Sequence, residues 1–119
     1  ARLQLRGTSV GTILVNGRGY TLYAFTTDRK NSDSCVAKNG CLAAWPAVTT
    51  VGNPIAGRGV KSQLIGTIKL KNGSRQVTYA GRPLYAYVAD RSPGQTSFVN
   101  ILQFGGRWPA GDAAGHQVK

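Results

Sequence analysis

Four aspartates carry all the acidity of this 119-residue chain: Asp28, Asp33, Asp90 and Asp112. Glu and Met are absent, and His116 is the single histidine. General acid–base catalysis usually runs on His or on paired carboxylates, so this inventory offers it little. Haem, copper and catalytic zinc sites each need several His, Cys, Met or carboxylate ligands. The expectation is a non-enzymatic protein with no catalytic residue, cofactor or metal. Two of the four aspartates nevertheless recur in one pattern. Tyr23, Phe25 and Asp28 spell Tyr-x-aromatic-x-x-Asp, and Tyr85, Tyr87 and Asp90 spell it again 62 residues later. Residues two apart on a strand share a face, so each aromatic pair should stand side by side. The Asp just past the strand end can accept backbone N–H groups and hold a turn. The favoured reading is therefore an aromatic core pair with a turn-fixing carboxylate. The alternative is a small ligand pocket of Tyr hydroxyls and Asp, duplicated by symmetry.

The other chemistry-bearing residues are weighed in the same way. Cys35 and Cys41 flank a short segment with an Asn39-Gly40 turn signal. Zinc would need two further ligands that the chain does not offer, so a disulfide is preferred. Closing so small a ring contributes about 2–2.5 kcal/mol through the unfolded state, and the bond implies an extracytoplasmic compartment. Trp45 and Trp108 read as core plugs rather than ligand platforms. Residues 28–34 resemble a calcium loop only superficially, because they lack the Gly and closing Glu and interpose Arg29 and Lys30. Gly17-Arg-Gly19 and Gly57-Arg-Gly59 are too isolated to carry an RNA-binding argument.

Fifteen Lys and Arg residues give a net charge of +11. Such a balance governs encounters rather than fold, and points toward anionic envelope polymers, acidic membranes or nucleic acid. The bases are scattered, without the block that marks a basic tail, so nucleic acid is not favoured. With 41% apolar and only 16% charged residues the chain reads as globular rather than disordered. No apolar run approaches the ~18 residues of a spanning helix. The chain opens Ala1-Arg-Leu-Gln without a leader pattern, as a processed secreted chain would.

The elements that must position these residues are strands. Residues 2–6 alternate polar and apolar, residues 10–15 are β-branched and apolar, and residues 20–25 follow the turn at Asn16-Gly17. Residues 67–71, 75–79 and 83–88 repeat the plan. Leu22-Tyr-Ala-Phe-Thr-Thr-Asp-Arg29 aligns with Leu84-Tyr-Ala-Tyr-Val-Ala-Asp-Arg91, and Trp45-Pro46-Ala47 returns as Trp108-Pro109-Ala110. Two signals at nearly one offset indicate an internal duplication. A short helical turn near residues 42–45 should end at Pro46, and residues 97–104 suit a strand or an extended segment. The predicted fold is all-β, a single domain over residues 1–119. It comprises two related three-stranded antiparallel meanders, about 2–49 and 66–112, joined by a Gly-containing connection over 50–65. Neither could stand alone, so they should pack together as a sandwich- or barrel-like unit.

The repeated Tyr-x-aromatic-x-x-Asp unit occurs with Cys35…Cys41-Leu-Ala-Ala-Trp45-Pro46, with Tyr79 before Gly81-Arg-Pro-Leu84, and with Phe104-Gly-Gly-x-Trp108. In this combination the chain resembles the bacterial secreted-repeat lipoproteins known by their Yx(FWY)xxD motif, over about residues 17–108. The resemblance implies an extracytoplasmic tandem-repeat protein without an established biochemical activity. The chain departs from that pattern at Ala1, which stands where such a lipoprotein carries its lipidated Cys and leaves open whether the N-terminus is lipidated or cleaved. The functional expectation is a secreted binding or envelope-associated module with a basic surface, its partner an anionic envelope component or another protein. The rivals are a polyanion or nucleic-acid binder, an enzyme or redox-associated protein using Asp28, Asp90 or His116, and a secreted inhibitor presenting loop 35–41.

Overall fold

Apolar alternation with Gly-rich turns builds two hairpins, one in each half of the chain. The computed structural model describes residues 1–118. In the first half, β1 (Arg2–Thr8) pairs antiparallel with β2 (Gly11–Asn16), and the turn between them needs Gly11 at φ +113°. A 3₁₀ turn at Cys35–Ala37 and the four-residue helix α1 (Cys41–Ala44) follow. The helix stops because Pro46 forces Trp45 out of the helical region, to φ −123° and ψ 75°. Next come β3 (Thr49–Thr50), β4 (Ile55–Ala56) and a second 3₁₀ turn at Ser62–Leu64. In the second half, β5 (Ile65–Lys69) pairs antiparallel with β6 (Arg75–Tyr79), whose far end pairs with β7 (Arg82–Pro83). The tight link from β6 to β7 places Ala80 at φ +53° and Gly81 at φ +79°, the double left-handed geometry of a two-residue hairpin turn. Four short strands complete the chain: β8 (Leu102–Gln103), β9 (Gly106–Arg107), β10 (Ala110–Gly111) and β11 (Gln117–Val118).

The fold is all-β with an internal repeat, distributed over several small sheets. Two details differ from the meander expected of each half. Residues 50–65 are more than a connection: β3 joins β6, and β4 lies parallel to β1. The third segments, residues 20–25 and 83–88, form single bridges in place of continuous strands, apart from β7. The reason is that each leaves its own hairpin to pair with the opposite repeat. Tyr23 and Tyr85 exchange two backbone hydrogen bonds of 2.8 Å each. Ala24 N–H donates to the Pro109 carbonyl and Ala86 N–H to that of Pro46; Thr26 reaches Arg107 just as Val88 reaches Ala44. Each motif segment is thus threaded against the Trp-Pro segment of the other copy. Residues 97–104, expected strand-like, are mostly turns, with only Leu102–Gln103 extended into β8.

Both repeats contribute to every main part of the core. Leu3, Leu14 and Leu22 from the first meet Val77, Tyr79 and Leu84 from the second. Beside them lies an aromatic cluster of Tyr23, Phe25, Trp45, Tyr85 and Trp108, closed by the Cys35–Cys41 disulfide. Splitting the chain between the repeats would expose both halves of each cluster, so neither half has a core of its own.

Candidate functional site

The motif residues converge on a local two-fold axis between Tyr23 and Tyr85. Four rings stack in one column: Phe25 on Trp108 at 3.9 Å, Trp108 on Trp45 at 4.1 Å, and Trp45 on Tyr87 at 3.9 Å. The column alternates first repeat, second, first, second. Tyr23 and Tyr85 meet it edge-on, against Trp45 and Trp108 respectively, each with ring centroids 5.0 Å apart. Edge-on and offset contacts suit the aromatic quadrupole, so the column is both apolar filling and a directional lock. Each aromatic pair shares a face, as expected, but its ring partners are supplied largely by the other copy. Two backbone features serve the column. Gly106 sits where a Cβ would come within 2.7 Å of the Phe25 ring. Gly105 at φ +82° follows Phe104 at φ +54° to form the β8–β9 turn, which accounts for the Phe104-Gly-Gly-x-Trp108 pattern.

The carboxylates are exchanged in the same way. Tyr85 Oη donates to Asp28 Oδ2 at 2.6 Å, and Tyr23 Oη donates to Asp90 Oδ2 at 2.7 Å. Every motif tyrosine hydroxyl at the axis is therefore bound to the aspartate of the opposite copy. Burial pushes the Tyr23 hydroxyl well above the ordinary phenol range, and its Asp90 partner adds to this. Burial does the same to Tyr85, helped by Asp28. Asp28 and Asp90 are themselves raised above the usual carboxylate range by burial, with their hydrogen bonds pulling the other way. The proton accordingly stays on the phenol, and each pair is a charge-assisted hydrogen bond.

The two copies differ at the second carboxylate oxygen. Asp28 Oδ1 accepts from Ser34 N–H at 2.7 Å and from Ser34 Oγ at 2.6 Å, fixing the loop that leads into the disulfide. Asp28 is thus both a turn anchor and a cross-brace. Asp90 Oδ1 is buried and has no partner. The loop after Asp90 is instead tied back elsewhere, through Thr21 Oγ1 to the Gln95 carbonyl and Gly94 N–H to the Gly19 carbonyl. Beside Asp90 lies a pocket of about 240 Å³ lined by Asn16, Arg18, Tyr20, Thr21 and Tyr87.

Sequence reasoning missed several of these participants. Ser34 completes the Asp28 anchor. Gln103 serves both tryptophans, accepting from Trp45 Nε1 at its side-chain oxygen and from Trp108 Nε1 at its carbonyl. A lone Ser or Gln in a loop gives no period or spacing by which to find it. Arg29 and Arg91 are exposed and make none of the hydrogen bonds accepted by the motif carboxylates. His116 lies in the C-terminal turn, its N–H held by Asp112, outside the aromatic column. In the segment compared with a calcium loop, Asp33 Oδ1 accepts from Val36 N–H, and Asp28 is committed to Ser34 and Tyr85. Gly19 and Gly59 occupy left-handed positions at φ +87° and +82°, and Gly57 packs on the β1 backbone. These are turn and packing roles for both Gly-Arg-Gly elements.

Fold and site together define a fused pair of β-repeats whose defining motif braces one copy against the other. A family model described as a secreted repeat of unknown function matches residues 6–49 and again residues 66–111. The chain belongs to this family, which places it outside the cytoplasm. No curated protein and no solved structure matches the chain. No helix of the described residues is long and apolar enough to cross a membrane, which leaves strand-built crossings unaddressed.

Proposed function

We propose that the protein is a non-catalytic extracytoplasmic binding module whose basic surface engages an anionic envelope component. One observation carries this reading: the hydrogen bonds that the four aspartates accept all come from neutral donors, none from a Lys or Arg. Asp28 accepts from Ser34 and Tyr85, Asp33 from Val36 N–H, Asp90 from Tyr23, and Asp112 from Ala114 and His116 N–H groups. Every Arg and Lys of residues 1–118 except Lys38 is exposed. The positive charge thus faces solvent without internal neutralisation, and would speed and orient encounter with acidic partners. The motif supports a non-catalytic reading because the Tyr23 and Tyr85 hydroxyls are each committed to the aspartate of the opposite copy.

The test is calorimetric titration with a purified phosphate-rich wall polymer, and in parallel with a short DNA duplex, at low and at about 0.5 M salt, where the Debye length falls to only a few Å. The expected result is polymer binding that weakens steeply with salt and falls further in a Lys69→Glu/Lys71→Glu variant on the β5–β6 hairpin. Salt-independent binding overturns the electrostatic reading. Tighter binding to the duplex, with a linear loss of log affinity against log salt, makes the protein a general polyanion binder instead.

A further inference from the structure

Each repeat opens with a hairpin, and the first strands of the two hairpins differ in what lies on their outer edge. In the first repeat β1 pairs with β2 on one edge and takes β4 in parallel on the other. In the second repeat β5 pairs with β6 and with no other strand among the described residues. The ladder fixes where the backbone groups of β5 point. The Leu64 carbonyl accepts from Ala80 N–H, and Leu70 N–H donates to the Ser74 carbonyl. By alternation Gly66 and Ile68 also bond to β6, and Thr67 and Lys69 turn both N–H and C=O outward. The Ile65 carbonyl points the same way, while its N–H donates to the Ser62 carbonyl. On β1 the matching outward carbonyls are answered from the β4 segment, that of Ala1 by Ile55 N–H and that of Leu3 by Gly57 N–H. We propose that the open edge of β5 binds an extended acidic segment of another protein, added as a strand in the position that β4 takes on β1.

The surroundings of the edge select the occupant. Thr67 and Arg75 share one face of the hairpin, joined by a hydrogen bond of 2.9 Å from Arg75 Nη2 to Thr67 Oγ1. A depression of about 240 Å³ lies there, bounded by both residues and by Asn53 and Pro54. On the other face Gly66 stands opposite Thr78, and a depression of about 440 Å³ is lined by both and by Lys30. Successive residues of a strand point to opposite faces, so two neighbouring side chains of an added strand would enter one depression each. Each depression has one base in its lining, Arg75 or Lys30, and no acid. Lys69 at the end of the strand and Lys71 just beyond it carry the same charge, and no acidic residue occurs between Asp33 and Asp90. The complement is a pair of adjacent carboxylates on an extended backbone. A second copy of this chain is disfavoured as occupant, because edge-to-edge pairing would bring the lysines of both copies together. A phosphate-rich polymer can meet the charges but lacks a peptide backbone to continue the ladder. The inference therefore goes beyond the polymer reading and does not rest on it.

The experiment is a protein-observed NMR titration, with amide hydrogen exchange, using end-blocked peptides of mixed Thr and Val. Their centre carries an Asp-Glu pair, a Glu-Asp pair or no acidic residue. The expected result is saturable shifts centred on residues 65–69, with Kd of about 1 mM or tighter for an acidic-pair peptide. Exchange of the Thr67 and Lys69 N–H groups should slow on binding. The neutral peptide should bind about tenfold more weakly, and so should the acidic peptide to a Lys30→Gln/Arg75→Gln variant, both residues being exposed. Thr67→Pro removes an outward N–H at an edge position that Pro tolerates, and should abolish binding. Peptides N-methylated at alternate residues test the same bond without altering the protein: one of the two phases should lose binding and the other keep it. Absence of shifts on β5 with every peptide overturns the proposal. Binding that survives both N-methylated phases overturns it in favour of charge attraction alone. Protection of Thr67 and Lys69 that arises on concentrating the protein by itself assigns the edge to a second copy and overturns the acidic occupant. Polymer binding without peptide binding overturns this inference and leaves the polymer reading standing, whereas peptide binding without polymer binding supports this inference alone.

Discussion

Replacing Tyr23 by Phe removes one oxygen atom and with it the only hydrogen bond that Asp90 accepts among the described residues. Replacing Tyr85 by Phe removes the equivalent oxygen on the other side of the axis, but Asp28 keeps two donors from Ser34. The aromatic packing is the same in both variants, so the comparison isolates what each carboxylate has left. Hydrogen bonds to charged groups contribute about 1.5–3 kcal/mol, and a charged acceptor left bare loses more than one that keeps other partners. Tyr85→Phe should therefore cost about 1–1.5 kcal/mol, and Tyr23→Phe about 2–3 kcal/mol. The assay is equilibrium urea unfolding with the disulfide intact, together with a Tyr23→Phe/Asp90→Asn double-mutant cycle to isolate the pair. The gap between the variants should close in mild acid, because burial lets Asp90 take up a proton above the usual carboxylate range. A Tyr85→Phe cost equal to or larger than that of Tyr23→Phe would refute the asymmetry on which the argument is built.

Burial raises Asp28 and Asp90 above their unfolded values, so the folded state binds more protons across that window. Their contribution to stability is full below the unfolded value and is lost as pH rises through the folded one. Urea midpoints measured from neutral pH down toward about 4 should shift in favour of wild type relative to Asp28→Asn/Asp90→Asn. The phenols act in the same direction at the other end of the scale. Tyr23 and Tyr85 are raised in the fold, so stability should begin to fall as pH rises past about 10, where unfolded tyrosines ionise. Alkaline melting curves of the Tyr→Phe variants should show a shallower fall. Gly106→Ala drives a methyl into Phe25, Thr26 and Thr27 and should destabilise by about 1–3 kcal/mol, read by urea unfolding. Reducing the Cys35–Cys41 bond opens a ring with a sequence separation of 6 and should cost about 2–2.5 kcal/mol, read by denaturation with and without reductant.

Much of the fold was legible in local pattern. The alternation of residues 2–6, the turn glycines and the Pro46 stop are short-range signals, and the observed hairpins and helix end fall where they point. The disulfide was legible because two cysteines six residues apart had no competing partner. The third segment of each repeat was harder to read. Its residues suit a strand, but a strand's partner is chosen by long-range packing, and here that partner lies in the other repeat.

Duplication was written in the sequence, as two copies of a motif and two Trp-Pro-Ala segments at nearly one offset. Sequence identity between copies implies similar shape, but it says nothing of how the copies are joined. Only the tertiary structure decided that Tyr23 answers Asp90 and Tyr85 answers Asp28, because hydrogen bonds of under 3 Å depend on how two hairpins cross. It also decided that identical aspartates end in different surroundings. Asp28 is enclosed by its own following loop, while Asp90 is not, since that loop is drawn away to Gly19 and Thr21. A carboxylate's chemistry is set by the donors that reach it, and those donors come from distant parts of the chain.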